Sequence, residues 1–199
     1  MKSSQTTYDS VSKTLHWVTA AAILVLLALG WTMGDLEDGP AKLDAYQWHK
    51  SIGIAILALT LFRVMWRLAK PALALPDSMR TWEKWAAKLV HFGFYVLLVL
   101  LPLTGWAMVS SMSFPTLLFG FIPLPNLPVI PDLANKSELG HMFKETHEMM
   151  AALLVGLLAL HIGAALKHHF INHDDVLLRM MPSRRRGCCC GKDKAGPCC

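Results

Sequence analysis

The chain has 199 residues, 54% of them hydrophobic and only 17% charged, with 19 Lys and Arg against 14 Asp and Glu. A soluble domain carries roughly a quarter charged residues, so this composition, with a mean hydropathy of +0.40, excludes a water-soluble enzyme or nucleic-acid-binding domain. It points to an all-α integral membrane protein in contact with lipid.

The first helix is expected over about 11–34, where Trp17 to Met33 carries no charge. It begins late, is long for a signal-peptide core and is not followed by a small-residue cleavage pattern, so it reads as retained. "GDLEDGPAKLD" is a short outer turn rich in Gly, Pro and acids. The second helix covers about 45–69 and stops before Pro71, because the residue preceding a proline is pushed out of the α region. "KPALALPDSMR" is the inner loop, and the third helix follows over about 82–110, with Pro102 as an expected kink. Residues 111–140 hold Pro115, Pro123, Pro125, Pro128 and Pro131, too broken for a fifth span. The apolar "FPTLLFGFIPLP" within them suits the membrane interface. The fourth helix is expected over about 141–172, after which "DDVLLRMMPSRRRG" leaves the membrane as a basic tail.

Each apolar segment with its flanks reaches about 17–25 residues, the length a spanning helix needs. The expected architecture is a four-helix transmembrane bundle over residues 1–182, followed by a basic, Cys-rich cytoplasmic tail, 183–199, without fixed structure. All five cysteines (Cys188, Cys189, Cys190, Cys198 and Cys199) lie in that tail, so no disulfide ties the bundle. In a reducing compartment such thiols stay free. "CCCGKDKAGPCC" has no usual metal-ligand spacing, though a soft-metal or redox role is the alternative to disorder.

Basic residues set the orientation. With the N-terminus inside, fifteen Lys and Arg fall on the cytoplasmic side and only Lys42, Lys50, Lys136 and Lys144 outside. Both termini are therefore expected in the cytoplasm. The outer side also carries eight acids (Asp35, Glu37, Asp38, Asp44, Asp132, Glu138, Glu145 and Glu148) and is net negative. The sequence pI of about 9.0 is thus an orientation signal.

The histidines fall into layers. His147 and His161, fourteen residues apart on the fourth helix, project from one face about 40° apart and about 21 Å apart along the axis. His16 lies at the inner end of the first helix and His49 at the outer end of the second. Depth therefore pairs His49 with His147 outside and His16 with His161 inside. Two bis-histidine sites at two depths suit two stacked b-type haems, each taking one axial nitrogen from either side. With both axial positions filled, electron transfer is favoured over oxygen binding.

His91 enters near the inner layer, as a packing or propionate-bonding neighbour or as a replacement for one of the assigned ligands. Arg63 and Arg67, four apart on one helical face, either snorkel to lipid phosphate or pair with inner haem propionates. His168 lies seven residues beyond His161 on the same face.

"KTLHW", "QWHKSIG", "FRVMWRLAKP", "HFGFYVLLVLLPLTG", "THE" with "LHIGAALKHHF", and "DDVLLRMMP" together resemble the bacterial cytochrome b561 family, in particular its four-helix superoxide oxidase branch. The resemblance extends to about Pro182. It implies that His16 and His161 ligate one haem b and His49 and His147 the other. It also implies a multi-pass protein of the bacterial inner membrane that delivers electrons to ubiquinone from the inner side. Superoxide is the implied donor on the periplasmic side, and His168 is the implied quinone contact. The other readings are a dihaem carrier between quinol or quinone and a redox protein, and a haem-free transporter or metal-handling protein.

Overall fold

The structure is a computed structural model describing residues 7–70, 73–76, 79–112, 116–127 and 135–182. Four helices are present: α1 (Ser10–Thr32), α2 (Pro40–Ala69), α3 (Thr81–Met112) and α4 (Lys136–Phe170). All are long and apolar enough to cross a membrane, and only 11–17% of their most apolar windows is buried within the protein. The remaining apolar surface, including Trp31, Leu68, Leu89 and Leu160, is stable only against hydrocarbon, since helices satisfy their backbone internally and leave side chains to the lipid. The protein is a four-helix membrane bundle.

Two helix starts lie earlier than the sequence pattern suggested. α2 begins at Pro40, inside the expected turn, because proline's fixed φ and missing N–H suit the first helical position. α4 begins at Lys136, ahead of its apolar run. Pro102 sits inside an uninterrupted α3.

Packing follows chain order: α1 lies along α2, α2 along α3 and α3 along α4, whereas α4 has no comparable contact with α1 or α2. The helices that carry the paired histidines are therefore held apart. Ile23, Ile56, Leu97, Leu101, Met150 and Leu154, drawn from all four helices, form one buried cluster. In each helix that carries a paired histidine, these residues lie between the inner and outer layers. The core is an apolar septum between two polar levels.

Each end of the bundle has a cover that the sequence pattern did not reveal. At the His49 and His147 end, the 111–140 connection contains an antiparallel hairpin, β1 (Thr116–Leu118) with β2 (Ile122–Leu124). Its turn places Phe119 at φ 54° and Gly120 at φ 84°. Glycine takes that conformation freely, whereas phenylalanine pays roughly 1–2 kcal/mol. The Phe119 N–H donates to Ser51 Oγ at 2.8 Å, and its ring meets Trp48 edge-on at 6.0 Å, which offsets that cost.

At the His16 and His161 end, residues 172–182 fold back against the bundle instead of leaving it. Trp17 Nε1 donates to Met180 O at 2.9 Å, the Tyr8 N–H donates to Arg179 O, and Arg179 Nη1 donates to Ala74 O at 2.8 Å. This inner cap joins the start of α1, the α2–α3 connection and the end of α4. Nearby, Trp66 Nε1 donates to Asp9 Oδ2 at 3.0 Å. Burial works to raise the Asp9 carboxyl, but hydrogen bonds from Ser12 and Trp66, with Lys70 close by, hold it below the usual carboxylate range. The expected tail, 183–199, lies outside the described residues.

Candidate functional site

The histidines meet across the gap between helices. His49 on α2 and His147 on α4 have ring centroids 6.2 Å apart, and His16 on α1 and His161 on α4 are also 6.2 Å apart. Imidazole nitrogen lies about 2 Å from a bound metal, and the ring centre lies about 1 Å behind it. Two axial imidazoles across one metal therefore have centroids roughly 6 Å apart, as both pairs do. Ring planes inclined at 65° and 62° remain compatible, because axial rings can rotate about their shared axis.

At the outer pair, His147 Nδ1 donates to Leu101 O at 3.0 Å, with Thr104 Oγ1 at 3.3 Å. A carbonyl can only accept, so the proton sits on Nδ1 and Nε2 keeps its lone pair for a ligand. Two glycines let helices come close to these rings. A Cβ on Gly105 would lie 3.3 Å from His147 Cε1, and one on Gly30 would lie 3.5 Å from His49 Cε1. His49 Nδ1 is buried and has no hydrogen-bond partner among the described residues. A polar nitrogen held from both water and protein suits a site that takes a further group.

At the inner pair, Arg63 Nη1 lies 3.5 Å from His16 Nδ1, at the outer limit of a hydrogen bond. The contact puts a guanidinium charge beside the ring. Arg67 shares the helical face but has a different neighbour: it lies over the Tyr8 ring at 5.2 Å and reaches its hydroxyl at 3.4 Å. The two arginines therefore separate, with Arg63 at the histidines and Arg67 at the chain's N-terminal segment.

His91 lies beside the inner pair, its centroid 5.4 Å from that of His161, and its Nδ1 donates to Ala87 O at 2.7 Å. Phe94 meets His161 edge-on from the same helix, also at 5.4 Å. His91 is thus a neighbour of the inner histidine pair on the α3 side.

His168, the quinone contact that the resemblance implies, stands near the end of α4. It is buried, and its Nδ1 pairs with Asp174 Oδ2 at 2.5 Å. Lys167 pairs with the buried Glu83 of α3, whose other oxygen accepts the Arg80 N–H. Sequence reasoning missed Leu101, Thr104, Asp174 and Glu83 because each acts through a contact between elements distant in the chain or beyond a helix end. Gly105 did leave a signal, since glycine inside a helix often marks a close approach.

Membrane-length helices that bring half-buried imidazoles face to face suit a membrane cytochrome of the b type. The chain belongs to the prokaryotic cytochrome b561 family, which matches residues 7–183. It is accordingly a membrane electron carrier of a haem b-binding family.

Among its relatives, "Cytochrome b561 homolog 2" of Escherichia coli (strain K12) is 31% identical over 176 residues, covering 87% of this chain and 90% of that protein. "Cytochrome b561 homolog 1" of the same organism is 32% identical over 174 residues, covering 86% and 94%. "Probable superoxide oxidase CybB" of Yersinia pestis is 30% identical over 182 residues, covering 89% and 97%.

The residues fit haem b. Facing neutral-capable imidazoles, a gap between α4 and the α1–α2 pair, and glycines under the outer rings suit a flat apolar group held from both sides.

Proposed function

We propose that this protein is a dihaem b cytochrome of the bacterial inner membrane, with both termini cytoplasmic, that passes electrons from superoxide at the periplasmic side to ubiquinone at the cytoplasmic side. His49 and His147 hold the outer haem, and His16 and His161 hold the inner one. The observation that carries this reading is the repeated 6.2 Å facing of two imidazole pairs at two levels of one bundle. The relative named "Probable superoxide oxidase CybB" supports the donor, and the resemblance supports the acceptor.

Haem b held between such pairs would supply a one-electron couple. The chain's own groups set its environment. Leu101 O orients His147 so that Nε2 faces the site. Arg63 places positive charge at the inner pair, where its guanidinium would pair with haem propionates. His91 lends a second-layer contact, and Arg67 braces the N-terminal segment. The apolar septum keeps water and ions from following the electron. Residues 1–182 form the working domain, and residues 183–199 are an appended tail.

One observation favours a second reading, a dihaem carrier that exchanges electrons with a protein partner. Superoxide is an anion and is captured faster by positive surfaces, yet eight acids face four lysines outside. Two of those lysines are paired, Lys42 with Asp38 and Lys144 with Glu148.

The test is reconstitution in liposomes with an external superoxide source, following haem absorbance with and without ubiquinone. Reduction that superoxide dismutase abolishes, and that ubiquinone reverses, supports the proposal. Haem inert to superoxide but reduced by a soluble redox protein supports the carrier reading.

A further inference from the structure

At the inner face, Arg80, Glu83, Lys167, Ile171, Asn172 and Asp174 line a polar cavity of about 440 Å³. It opens between the start of α3 and the end of α4, under the inner cap. Asp174 is one of its lining residues. Its Oδ2 lies 2.5 Å from the Nδ1 of buried His168, and their side chains retain only 10% and 7% of their exposure. The other oxygen, Oδ1, accepts the Val176 N–H at 3.1 Å, which fixes the carboxylate in that bridging position. The local chain is built for the contact: α4 ends at Phe170, His173 takes a positive φ of 53°, and the Asp174 N–H returns to His168 O at 3.1 Å.

A carboxylate accepts, so His168 Nδ1 donates to Asp174, and any contact the ring makes with a ligand goes through Nε2. A carboxylate behind an imidazole fixes its tautomer and stabilises the imidazolium. Here the residue that supplies the carboxylate also lines the polar cavity. The remaining charges around the pair are largely matched. Glu83 binds Lys167 and the Arg80 N–H, Arg179 binds Asp175, and the Asn172 amide lies 3.1 Å from His168 Nδ1.

We propose that His168 and Asp174 form the proton-delivery pair of the inner site, with the polar cavity as the entry for protons from the cytoplasmic side. This rests on the quinone reading above. Quinone reduction takes two electrons and two protons per quinol formed. At the quinone oxygen facing His168, the Nε2–H bond breaks as an O–H bond forms, leaving neutral His168 still donating through Nδ1 to Asp174, while water protonates the oxygen on the far side of the ring. A proton from water in the cavity then reloads the pair. The two electrons arrive one at a time from the reduced cytochrome. Asp174 is the positioning residue and His168 the proton donor.

The experiment uses the full-length haem-loaded protein in liposomes, chemically pre-reduced, with decylubiquinone as acceptor, for the wild type, Asp174→Asn, Asp174→Glu and His168→Gln. Quinone reduction is followed from pH 5.5 to 8.5, in H2O and D2O, and with added formate or imidazole as diffusible acids. General acid catalysis contributes typically 10²–10⁴-fold, so Asp174→Asn and His168→Gln are expected to slow quinol formation at least about tenfold. Haem content and midpoint potentials should be unchanged. Asp174→Glu should restore most of the rate, and a small acid should rescue Asp174→Asn. Wild-type rates and pH profile in Asp174→Asn, or a slow variant that neither Glu nor a diffusible acid restores, overturn the relay and leave a structural clamp. A wild type that reduces no quinone overturns the quinone reading itself and the relay with it.

Discussion

Replacing His49 with alanine tests the independence of the two levels. The outer pair shares no ligand with the inner one, and His147 and His161 stand fourteen residues apart on α4, about 21 Å along the axis. Substitutions so far apart act almost additively, so the inner pair keeps its ligands and its low-spin spectrum while haem content falls from two per chain to one. The remaining coupling is Coulombic. One unit charge at about 21 Å, in an effective dielectric of about 20, is worth roughly 0.8 kcal/mol, or about 35 mV for a one-electron couple. The midpoint potential of the retained haem should therefore move by no more than about 35 mV. Pyridine haemochrome analysis and an optical redox titration of the purified variant read both quantities. Loss of both haems from a protein of unchanged helicity, or a shift above roughly 100 mV, would refute the assignment of separate ligand pairs.

The arginines should separate in the same titration. Arg63→Gln removes a positive charge at the inner histidines and should lower the inner midpoint potential by about 50 mV, on the order of 1 kcal/mol, whereas Arg67→Gln, at Tyr8, should leave it nearly unchanged. Ser51→Ala removes the acceptor of the Phe119 N–H, worth about 1 kcal/mol. Hydrogen exchange at the Phe119 amide should then accelerate roughly fivefold, with haem content retained; an unchanged rate would show that the hairpin is held elsewhere. Truncation after Pro182 should leave haem content and thermal stability as they are, because among the described residues the inner cap is tied to the start of α1 and the α2–α3 connection through Arg179 and Met180.

The four spans were legible because lipid imposes one rule, a predominantly apolar run long enough to cross, and the chain meets it four times. Pairing by depth was legible too, since antiparallel helices turn sequence position into height. His49 faces His147 and His16 faces His161, as counting from the membrane edges suggested. The start of α2 was not legible, because Gly39 and Pro40 read as a turn although proline also opens helices. The hairpin was hidden by strands of only three residues inside a proline-rich apolar run. The inner cap was missed because "DDVLLRMMP" has the charge pattern of a departing tail. What holds it are backbone carbonyls at Arg179 and Met180, which carry no sequence signature. Helical spacing put His168 on the face of His161, but periodicity ends with α4, and Asp174 reaches the ring from beyond it.

The proposal that the protein carries electrons between two levels is tested most directly by the haem content and spin state of the purified wild type. Pyridine haemochrome assay against quantitative amino-acid analysis, with low-temperature electron paramagnetic resonance of the oxidised protein, should return two haems b per chain, both low-spin with two axial imidazoles. One haem per chain, or a high-spin five-coordinate signal from either site, would contradict the pairing of His49 with His147 and of His16 with His161.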